Sequence, residues 1–439
     1  MLIFAFILYS IAISFFANSY TFIQQTPQSL YFIIPIFLFI NVFAGCFALK
    51  TRKKSLKICH HGSVLLVSFY VSVIVSTVWQ IILAVKTIPN NYPLFLWSLA
   101  LCFFVNFVVF WNGIICVYLT SKQLGIKIRV IGIVCGMIPI ANLIALFFII
   151  KTTITECLVE SEKEKINRQR HSLKICSTKY PILFVHGVFF RDTKYFNYWG
   201  RIPGELETNG ATVFYGNHHS ASSVVDSATE LKLRIEEILS ETGAEKVNII
   251  AHSKGGLDCR YAISKLGIGG KVASLTTINT PHKGCLFADY LLNKIPETTK
   301  NRVANAYNST LRKLGEPSPD FLAAVHNLTA SFCNQLNTEL PTPEGVFCQS
   351  VGSVQNKATG GKFPLNFTYR LVDHFSGEND GLVAASSFEW GEHYILLKPT
   401  GKRGISHGDM IDLNRENIKG FDVREFYVHL VKGLKDKGL

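Results

Sequence analysis

The chain has 439 residues, which is too long for one ordinary hydrophobic core. Its mean hydropathy of +0.25 is high for a protein lying wholly in water. Its net charge of +13 is uneven: residues 1–150 hold nine Lys and Arg and no Asp or Glu, whereas the other 289 residues hold 35 basic and 31 acidic side chains. The excess positive charge therefore belongs to loops between apolar segments, and no basic stripe with interleaved aromatic residues predicts nucleic-acid binding.

Five apolar stretches predict a bundle of about five transmembrane helices, because most of them reach the roughly 20 residues needed to cross a bilayer. They lie at about 2–17, 30–49, 62–85, 93–120 and 130–150. Buried helices of a soluble protein are not expected to lack carboxylates over such a length. Since no charged residue lies in the middle of a stretch, a plain anchor is favoured over a transporter.

The basic residues of the loops predict the orientation of this bundle. The loops 50–61 and 121–129 carry five and three basic residues, whereas the other two loops carry none and one. By the positive-inside rule, five spans place the N-terminus inside and everything after Ile150 on the extracytoplasmic side, and one miscounted span would reverse that side. Residues 151–179 are expected to form a linker or a helix on the membrane surface.

From residue 180 onward, short apolar runs alternate with amphipathic stretches. Strands are predicted at about 181–185, 211–215, 246–251 and 272–278, and helices at about 223–241, 254–267 and 413–436. This alternation implies a mostly parallel sheet covered by helices on both faces, which is an α/β fold. Residues 284–345 break the alternation, and we predict a helical insertion there.

A candidate nucleophile lies in the segment 251–256, which has the sequence AHSKGG between a predicted strand and a predicted helix. Small residues around a serine in that context form a nucleophile elbow, in which a tight turn lifts the serine hydroxyl above the sheet edge. The helix that begins at Lys254 directs its N-terminal dipole towards the negative charge that develops. Ser253 is therefore the candidate nucleophile, and an ordinary glycine-rich turn is the alternative.

The end of the first predicted strand offers the donors that such a nucleophile needs. His186 and Gly187 precede Val188, whose backbone N–H is a candidate oxyanion donor together with the N–H of Lys254. Two fixed donors where negative charge develops are each worth on the order of 10²–10³-fold in rate. We expect His186 to be structural, because it belongs to the turn.

A serine nucleophile needs a base that takes its proton, and in this architecture the acid and the base follow it in the order Ser, acid, His. Asp380 in a glycine-flanked loop and His407 before the last helix fit the two roles. Other residues are alternative candidates for these roles. They are Asp373, Asp409 and Asp412 for the acid, and His374, His393 and His429 for the base.

Five motifs occur in one order over roughly 180–436: HGV, AHSKGG, INTPHKG, NDGLV and HGD. This ordered set resembles the secreted bacterial triacylglycerol lipases of the Pseudomonas/Burkholderia type and their Gram-positive relatives. The resemblance implies the α/β-hydrolase fold. It also implies a role for each matching residue, with the nucleophile, acid and base at Ser253, Asp380 and His407 and the oxyanion hole at the amides of Val188 and Lys254.

The resemblance has further implications. The insertion at about 284–345 would be a lid, and no cofactor is required for the chemistry. These lipases use a structural calcium ion near the catalytic histidine, and one ligand, two residues after that histidine, matches Asp409. A second aspartate at the family's spacing is not found, since Asp373 is too close to Asp380. The apolar half has no counterpart in the secreted relatives.

The sequence therefore predicts a transmembrane domain over 1–150, a linker over 151–179 and a hydrolase domain over 180–439. We expect a multi-pass, membrane-anchored serine carboxylester hydrolase acting on acylglycerols or other lipid esters. The alternatives are a phospholipase or lipid acyltransferase, and a non-catalytic membrane receptor or binding module, which the intact Ser, Asp and His disfavour. The sequence does not indicate the oligomeric state. Cys333 and Cys348 are expected to be either reduced thiols or, if they lie outside the cell, a disulfide.

Overall fold

The computed structural model of the chain describes residues 2–46, 48–138, 140–188, 197–313, 315–341 and 343–439. The other positions fall at the start of the chain, in two predicted spans, in the loop after the first predicted strand and in the predicted insertion, and they lie outside the described residues. The chain divides into two compact units, Met1–Gln169 and Arg170–Leu439.

The first unit is built from helices rich in Leu, Ile, Val and Phe. They are α1 (Leu2–Ala17), α2 (Tyr20–Gln25), α3 (Leu30–Phe43), α4 (Lys54–Thr87), α5 (Tyr92–Thr120), α6 (Gly125–Cys135) and α7 (Ala141–Arg170). Within the described residues, α4, α5 and α7 are long and apolar enough to cross a membrane, and two shorter apolar helices precede them. The fifth predicted span is not one helix, because α6 ends at Cys135 and α7 begins only at Ala141.

Contacts along α4 define the direction of the first helix of this unit. The rings of Phe6, near the start of α1, and His60, near the start of α4, lie 6.2 Å apart. Asn18, directly after α1, donates to the hydroxyl of Ser76 further along α4 at 2.7 Å. Helix α1 therefore runs parallel to α4.

Helices α3 and α7 both run towards the end at which α4 begins. The carbonyl of Ala44, directly after α3, lies 2.8 Å from Nδ1 of His61 in the second turn of α4. On α7, Thr153 accepts a hydrogen bond from Ser63 at 2.8 Å. One turn further along α7, Sγ of Cys157 lies 3.9 Å from the carbonyl of Leu56, earlier in α4. Because α3 ends near the start of α4, and later positions of α7 meet earlier positions of α4, both helices are antiparallel to α4.

Two carboxylates of α7 hold loops at that same end. Glu156 accepts hydrogen bonds from the amides of Lys122 at 2.9 Å and Gln123 at 3.3 Å, directly after α5. Glu164 accepts one from the amide of Arg52 at 2.9 Å, directly before α4. Residues 151–170 of the segment predicted as a linker or surface helix thus continue α7, and they gather both basic loops at one end of the unit.

The second unit contains a parallel sheet of six strands in the order β2-β1-β3-β4-β5-β6. The strands are β1 (Ile182–Val185), β2 (Val213–Tyr215), β3 (Val247–His252), β4 (Val272–Ile278), β5 (Phe347–Ser353) and β6 (His393–Leu397). Every residue of β1, β3 and β4 is buried, as expected for strands covered on both faces.

Nine helices are described in the second unit. They are α8 (Ile202–Thr208), α9 (Val224–Thr242), α10 (Lys254–Lys265), α11 (Leu286–Lys294), α12 (Glu297–Lys313), α13 (Phe321–His326), α14 (Ala330–Glu339), α15 (Leu365–Ser376) and α16 (Val423–Asp436). Two apolar cores, one around Trp199 and Tyr427 and one around Leu231 and Ile235, pack against the sheet. This doubly covered parallel sheet is the arrangement of an α/β-hydrolase fold.

Several predicted elements differ from the structure in extent. The last helix begins at Val423 rather than near 413. Within the predicted insertion, α13 and α14 are separate helices, because Thr329 caps the N-terminus of α14 through the amide of Phe332. Strand β6 and helix α15 were not predicted. Cys333 and Cys348 are both free thiols.

Candidate active site

Ser253, the predicted nucleophile, lies in the turn between β3 and α10 with φ 54° and ψ −130°, a sparsely populated conformation for a residue with a side chain. Its amide donates to the carbonyl of Ile278 at 2.9 Å. Neighbouring glycines make room for the turn: a Cβ on Gly187 would lie 2.8 Å from the Cβ of Ser253, and one on Gly255 would collide with the carbonyl of His186. The small residues of the predicted elbow are therefore required sterically.

Asp380, the predicted acid, is fully buried and surrounded by donors. Its Oδ1 accepts from the amides of Leu382 at 2.9 Å and Val383 at 2.7 Å. Its Oδ2 accepts from Nδ2 of Asn279 at 2.6 Å and lies 2.6 Å from Nδ1 of His407, the predicted base. With Nδ1 directed at the carboxylate, Nε2 of the imidazole is left for proton transfer.

Asn279 lies in the INTPHKG motif and directly follows β4, and the sequence predicts no role for its side chain. It adopts φ 48°, and its amide group donates both to Asp380 and, at 2.8 Å, to the hydroxyl of Ser353 at the end of β5. The side chain therefore links two strand ends to the acid. The sequence offered one signal for a role of Asn279, which is its position at the end of a predicted strand. Catalytic groups gather at the sheet edge where parallel strands end.

A second imidazole lies beside the predicted base. The ring centroids of His252 and His407 are 4.4 Å apart, and Nδ1 of His252 lies 2.7 Å from the hydroxyl of Tyr198, which accepts from the amide of Gly187 at 3.1 Å. Burial, and then the neighbouring His407, hold the pKa of His252 well below its usual value. A neutral His252 supports the elbow and does not compete as a base.

The residues of the predicted oxyanion hole flank the nucleophile. Val188 follows β1 and is half-buried, and because Gly187 packs against Ser253, the peptide that carries the Val188 N–H lies beside the nucleophile. Lys254 is the first residue of α10, where the helix leaves backbone N–H groups without intrahelical partners. Its buried ammonium points away to Oδ1 of Asp258 at 2.7 Å.

His186 has a structural position, as the sequence predicts. Its Nδ1 lies 2.8 Å from the carbonyl of Gly187 and its Nε2 lies 3.0 Å from that of His218. The two histidine rings stack with centroids 4.0 Å apart. Burial lowers the pKa of His186 to about 4, although the contacts with the two carbonyls act in the opposite direction, and the ring supports the turn after β1.

The rival bases and one rival acid are exposed side chains. Asp373 and His374 are exposed on α15, and His393 is exposed at the start of β6. His429 is exposed on α16, with Nε2 3.5 Å from Glu425 on the same helix. The structure brings none of these four side chains to the acid and base pair described above.

Asp409, the predicted calcium ligand, faces an arginine. Its carboxylate forms a bidentate pair with Arg403, at 2.7 and 3.1 Å, and also accepts from the amide and the hydroxyl of Ser406 at 2.8 and 2.7 Å. The remaining rival acid, Asp412, is likewise paired, with Arg201 at 2.8 Å. Both oxygens of Asp409 are thus engaged by donors, and these residues do not fit a calcium ion.

Comparison with known proteins places this site in a family. The chain is 33% identical over 309 residues to the triacylglycerol lipase of Pseudarthrobacter phenanthrenivorans, covering 55% of this chain and 96% of that lipase. It is also 33% identical over 309 residues to the triacylglycerol lipase of Burkholderia plantarii, covering 55% and 86%.

Among solved structures, the mature lipase BlEst2 of Bacillus licheniformis aligns with a TM-score of 0.44 and 23% identity, covering 58% of this chain and 92% of that one. No family model matches the chain. On the strength of the two sequence relatives, of which the alignments cover more than four fifths, the chain belongs to the triacylglycerol lipase family and is a carboxylic ester hydrolase.

Proposed function

We propose that the chain is a membrane-anchored serine hydrolase that cleaves acylglycerols or other lipid esters through an acyl-Ser253 intermediate. The observation that carries the proposal is the 2.6 Å pair between Asp380 and His407, together with the strained elbow at Ser253, directly after His252, whose ring centroid lies 4.4 Å from that of His407. Lipase relatives of 33% identity support the choice of a lipid ester as substrate.

In the first half of the reaction, Oγ of Ser253 attacks the ester carbonyl carbon while Nε2 of His407 takes the hydroxyl proton. Asp380 keeps the imidazole oriented and stabilises its charged form. The N–H groups of Val188 and Lys254 donate to the oxyanion. When the tetrahedral intermediate collapses, His407 returns the proton to the leaving alcohol and the acyl group stays on Ser253.

In the second half, His407 takes a proton from water, whose oxygen attacks the acyl carbon. Collapse releases the fatty acid, and the proton on His407 returns to Ser253. An alcohol in place of water would make the same site an acyltransferase, and a phospholipid substrate would make it a phospholipase. Neither is favoured by a specific contact, so we propose hydrolysis of acylglycerol-type esters.

The test uses detergent-solubilised full-length protein and p-nitrophenyl esters of short and long acyl chains. We expect Ser253→Ala to abolish hydrolysis, whereas Ser240→Ala, an exposed serine on α9, keeps wild-type kcat. Long-chain preference supports a lipase, and product analysis with added alcohol separates hydrolysis from transfer. If wild type and Ser253→Ala are equally inert and a fluorophosphonate probe fails to label Ser253, the chain is a non-catalytic module and the proposal fails.

The insertion between β4 and β5 is proposed to act as the lid of this site. Glu316, buried between α12 and α13, accepts from the amides of Ser220 at 3.2 Å and Ala221 at 3.4 Å, in the loop before α9. The amide of Asp320 donates to the carbonyl of Ala221 at 2.6 Å. These bonds hold the insertion in one position, and a lid that opens would have to break them.

The proposal includes a membrane anchor made of three helical hairpins. In each hairpin the first helix leaves one end of the unit and the second returns to that end. The pairs are α1 with α3, α4 with α5 and α6 with α7, as the antiparallel contacts of α3, α4 and α7 indicate. Helix α6 has 11 residues, which is about 16 Å of helix and too short to cross about 30 Å of hydrocarbon. Although α7 is long and apolar enough to cross, it is joined to this short helix, and the third hairpin is therefore proposed to enter the membrane and return to the same end.

This pairing changes the expected side of the catalytic unit. Five crossings predict an extracytoplasmic hydrolase. With three returning hairpins, the chain after α7 instead leaves the membrane on the side of the loops 50–61 and 121–129. Because those loops hold eight of the nine basic residues before residue 151, the positive-inside rule supports a cytoplasmic hydrolase.

An epitope tag after Leu439 and a second tag in the loop at 88–91 test this topology. We expect the C-terminal tag to be accessible to antibody only after permeabilisation of intact cells, and the 88–91 tag to be accessible without it. Exposure of both tags on intact cells would restore the five-span topology.

A further inference from the structure

A guanidinium group lies where the lipase resemblance implies a metal ion. Asp409, two residues after His407, is 3% exposed in its side chain, and both its oxygens pair with Arg403. A bidentate arginine–carboxylate pair fixes geometry as well as charge. Arg403 also reaches Glu416 at 3.1 Å, so one cation lies between two carboxylates.

The paired carboxylate determines the shape of the turn that carries the base. Oδ2 of Asp409 accepts from the amide of Ser406 at 2.8 Å and from its hydroxyl at 2.7 Å. On the other side of the turn, the amide of His407 donates to the carbonyl of Asp380 at 2.8 Å. The imidazole is thus held between two anchors, and the first of them depends on Arg403.

The backbone that carries this arginine is itself held against the end of β5. The amide of Asn356 donates to the carbonyl of Arg403 at 3.2 Å, and the amide of Ile405 donates to the carbonyl of Val354 at 2.8 Å. Gly404 has φ +76°, and a Cβ there would collide with the amide of Asn356. The guanidinium therefore extends from a fixed point of the sheet.

We infer that Arg403 is a positioning residue that takes the place of a structural metal ion at the His407 turn, so that hydrolysis needs no added calcium. The inference rests on the proposed function, because it assigns Arg403 a role through His407. A cation placed on Asp409 would lie next to the guanidinium and be repelled by it. Loss of the arginine leaves Asp409 buried without its counter-charge and loosens the turn.

The experiment compares wild type, Arg403→Ala, Arg403→Lys and the control Arg234→Ala, each as solubilised full chain with excess EDTA or millimolar CaCl2. Arg234 forms an arginine–carboxylate pair with Glu237 on α9, away from the site. Measurements are kcat and KM per active site titrated with a fluorophosphonate, and the midpoint of thermal unfolding. The unfolding midpoint reports calcium binding independently of activity.

We expect wild-type kcat and unfolding midpoint to be the same in EDTA and in calcium. Arg403→Ala should lower kcat per titrated site about 10- to 100-fold with little change in KM, as loss of a group that orients a catalytic ligand does. Arg403→Lys should retain more activity, since it keeps the charge without the bidentate geometry. Arg234→Ala should keep wild-type kcat.

Three results would overturn the inference while leaving the proposed function intact: Ser253-dependent activity that EDTA removes and calcium restores, a calcium-dependent rise in the wild-type unfolding midpoint, or wild-type kcat per titrated site in Arg403→Ala. Absence of any Ser253-dependent activity in wild type would instead remove the proposed function, and the inference with it.

Discussion

The two units use polar side chains for different purposes. In the helical unit, a few side chains such as Glu156 and Glu164 bind loop amides and determine which helix ends lie together. In the hydrolase unit, Asp380 alone accepts four hydrogen bonds or imidazole contacts between 2.6 and 2.9 Å. Polar contacts in the first unit thus define which helix ends meet, and those in the second position the side chains that we propose to react.

Substitutions of polar residues in the two units are therefore expected to have different effects. A lost contact at the site should change kcat far more than stability, because proton transfer needs the imidazole in one orientation. A lost contact in the bundle should change stability and leave kcat unaffected.

The largest effect is expected for Asp380→Asn. An amide can present a donor to Nδ1 of His407 and favour the wrong tautomer, so kcat should fall on the order of 10⁴-fold with little change in the unfolding midpoint. Asp373→Asn, on the exposed face of α15, is the matched control and should retain wild-type kcat. Comparable kcat in the two variants would mean that another carboxylate orients the base.

Acidification should destabilise the hydrolase unit. Burial lowers the pKa of His186 to about 4 from 6.5, so the folded state binds fewer protons than the unfolded state in that window and stability falls as pH falls. His186 alone should account for a loss on the order of 3 kcal/mol across that window. His218, His252 and His282 have pKa values lowered by burial too and add to the loss.

One buried carboxyl opposes this trend. Burial raises the pKa of Asp258 to about 6, against the effect of Lys254, so its protonation below that pH favours the folded state. Four histidines against one aspartate leave a net loss of stability, measurable as a falling unfolding midpoint between pH 6.5 and 4. An unfolding midpoint that does not fall over this range would show that the histidines do not become charged on unfolding.

A smaller loss of activity is expected for Asn279→Ala. Its amide donates to Asp380, and a hydrogen bond to a charged group is worth about 1.5–3 kcal/mol, so kcat should fall about 10- to 100-fold. Asn337→Ala removes a similar amide that donates to the carbonyl of His282 at 2.8 Å, away from the acid. If both variants lose activity equally, the loss reflects general destabilisation and not the orientation of Asp380.

The smallest effect on activity is expected for Glu156→Ala in the bundle. The amides of Lys122 and Gln123 lose their acceptor, which should lower the free energy of unfolding of the helical unit by about 1–3 kcal/mol while kcat stays at its wild-type value. Glu162→Ala removes only an exposed pair with Lys165 and should change little. A large kcat effect in Glu156→Ala would show that the two units are coupled.

Much of this protein could be predicted from local sequence. Apolar length indicated the helices of the first unit, alternation indicated the parallel sheet, and the AHSKGG segment indicated the tight turn that the structure shows at Ser253. Each of these signals lies within a short stretch of chain, since hydropathy, strand period and turn chemistry depend on near neighbours. The roles of Ser253, Asp380 and His407 stay predictions until variants are measured.

Tertiary structure alone decided what depends on distant residues. Asn279 meets Asp380 across 101 positions, and Glu156 meets Lys122 across 34, so neither contact follows from spacing along the chain. Arg403 is only six residues from Asp409, yet its direction depends on a glycine turn held against β5. Local chemistry thus indicated most of the elements and the candidate reacting residues, whereas packing decided which helix ends meet and which cation faces the turn of His407, because both depend on contacts made only when the chain is folded.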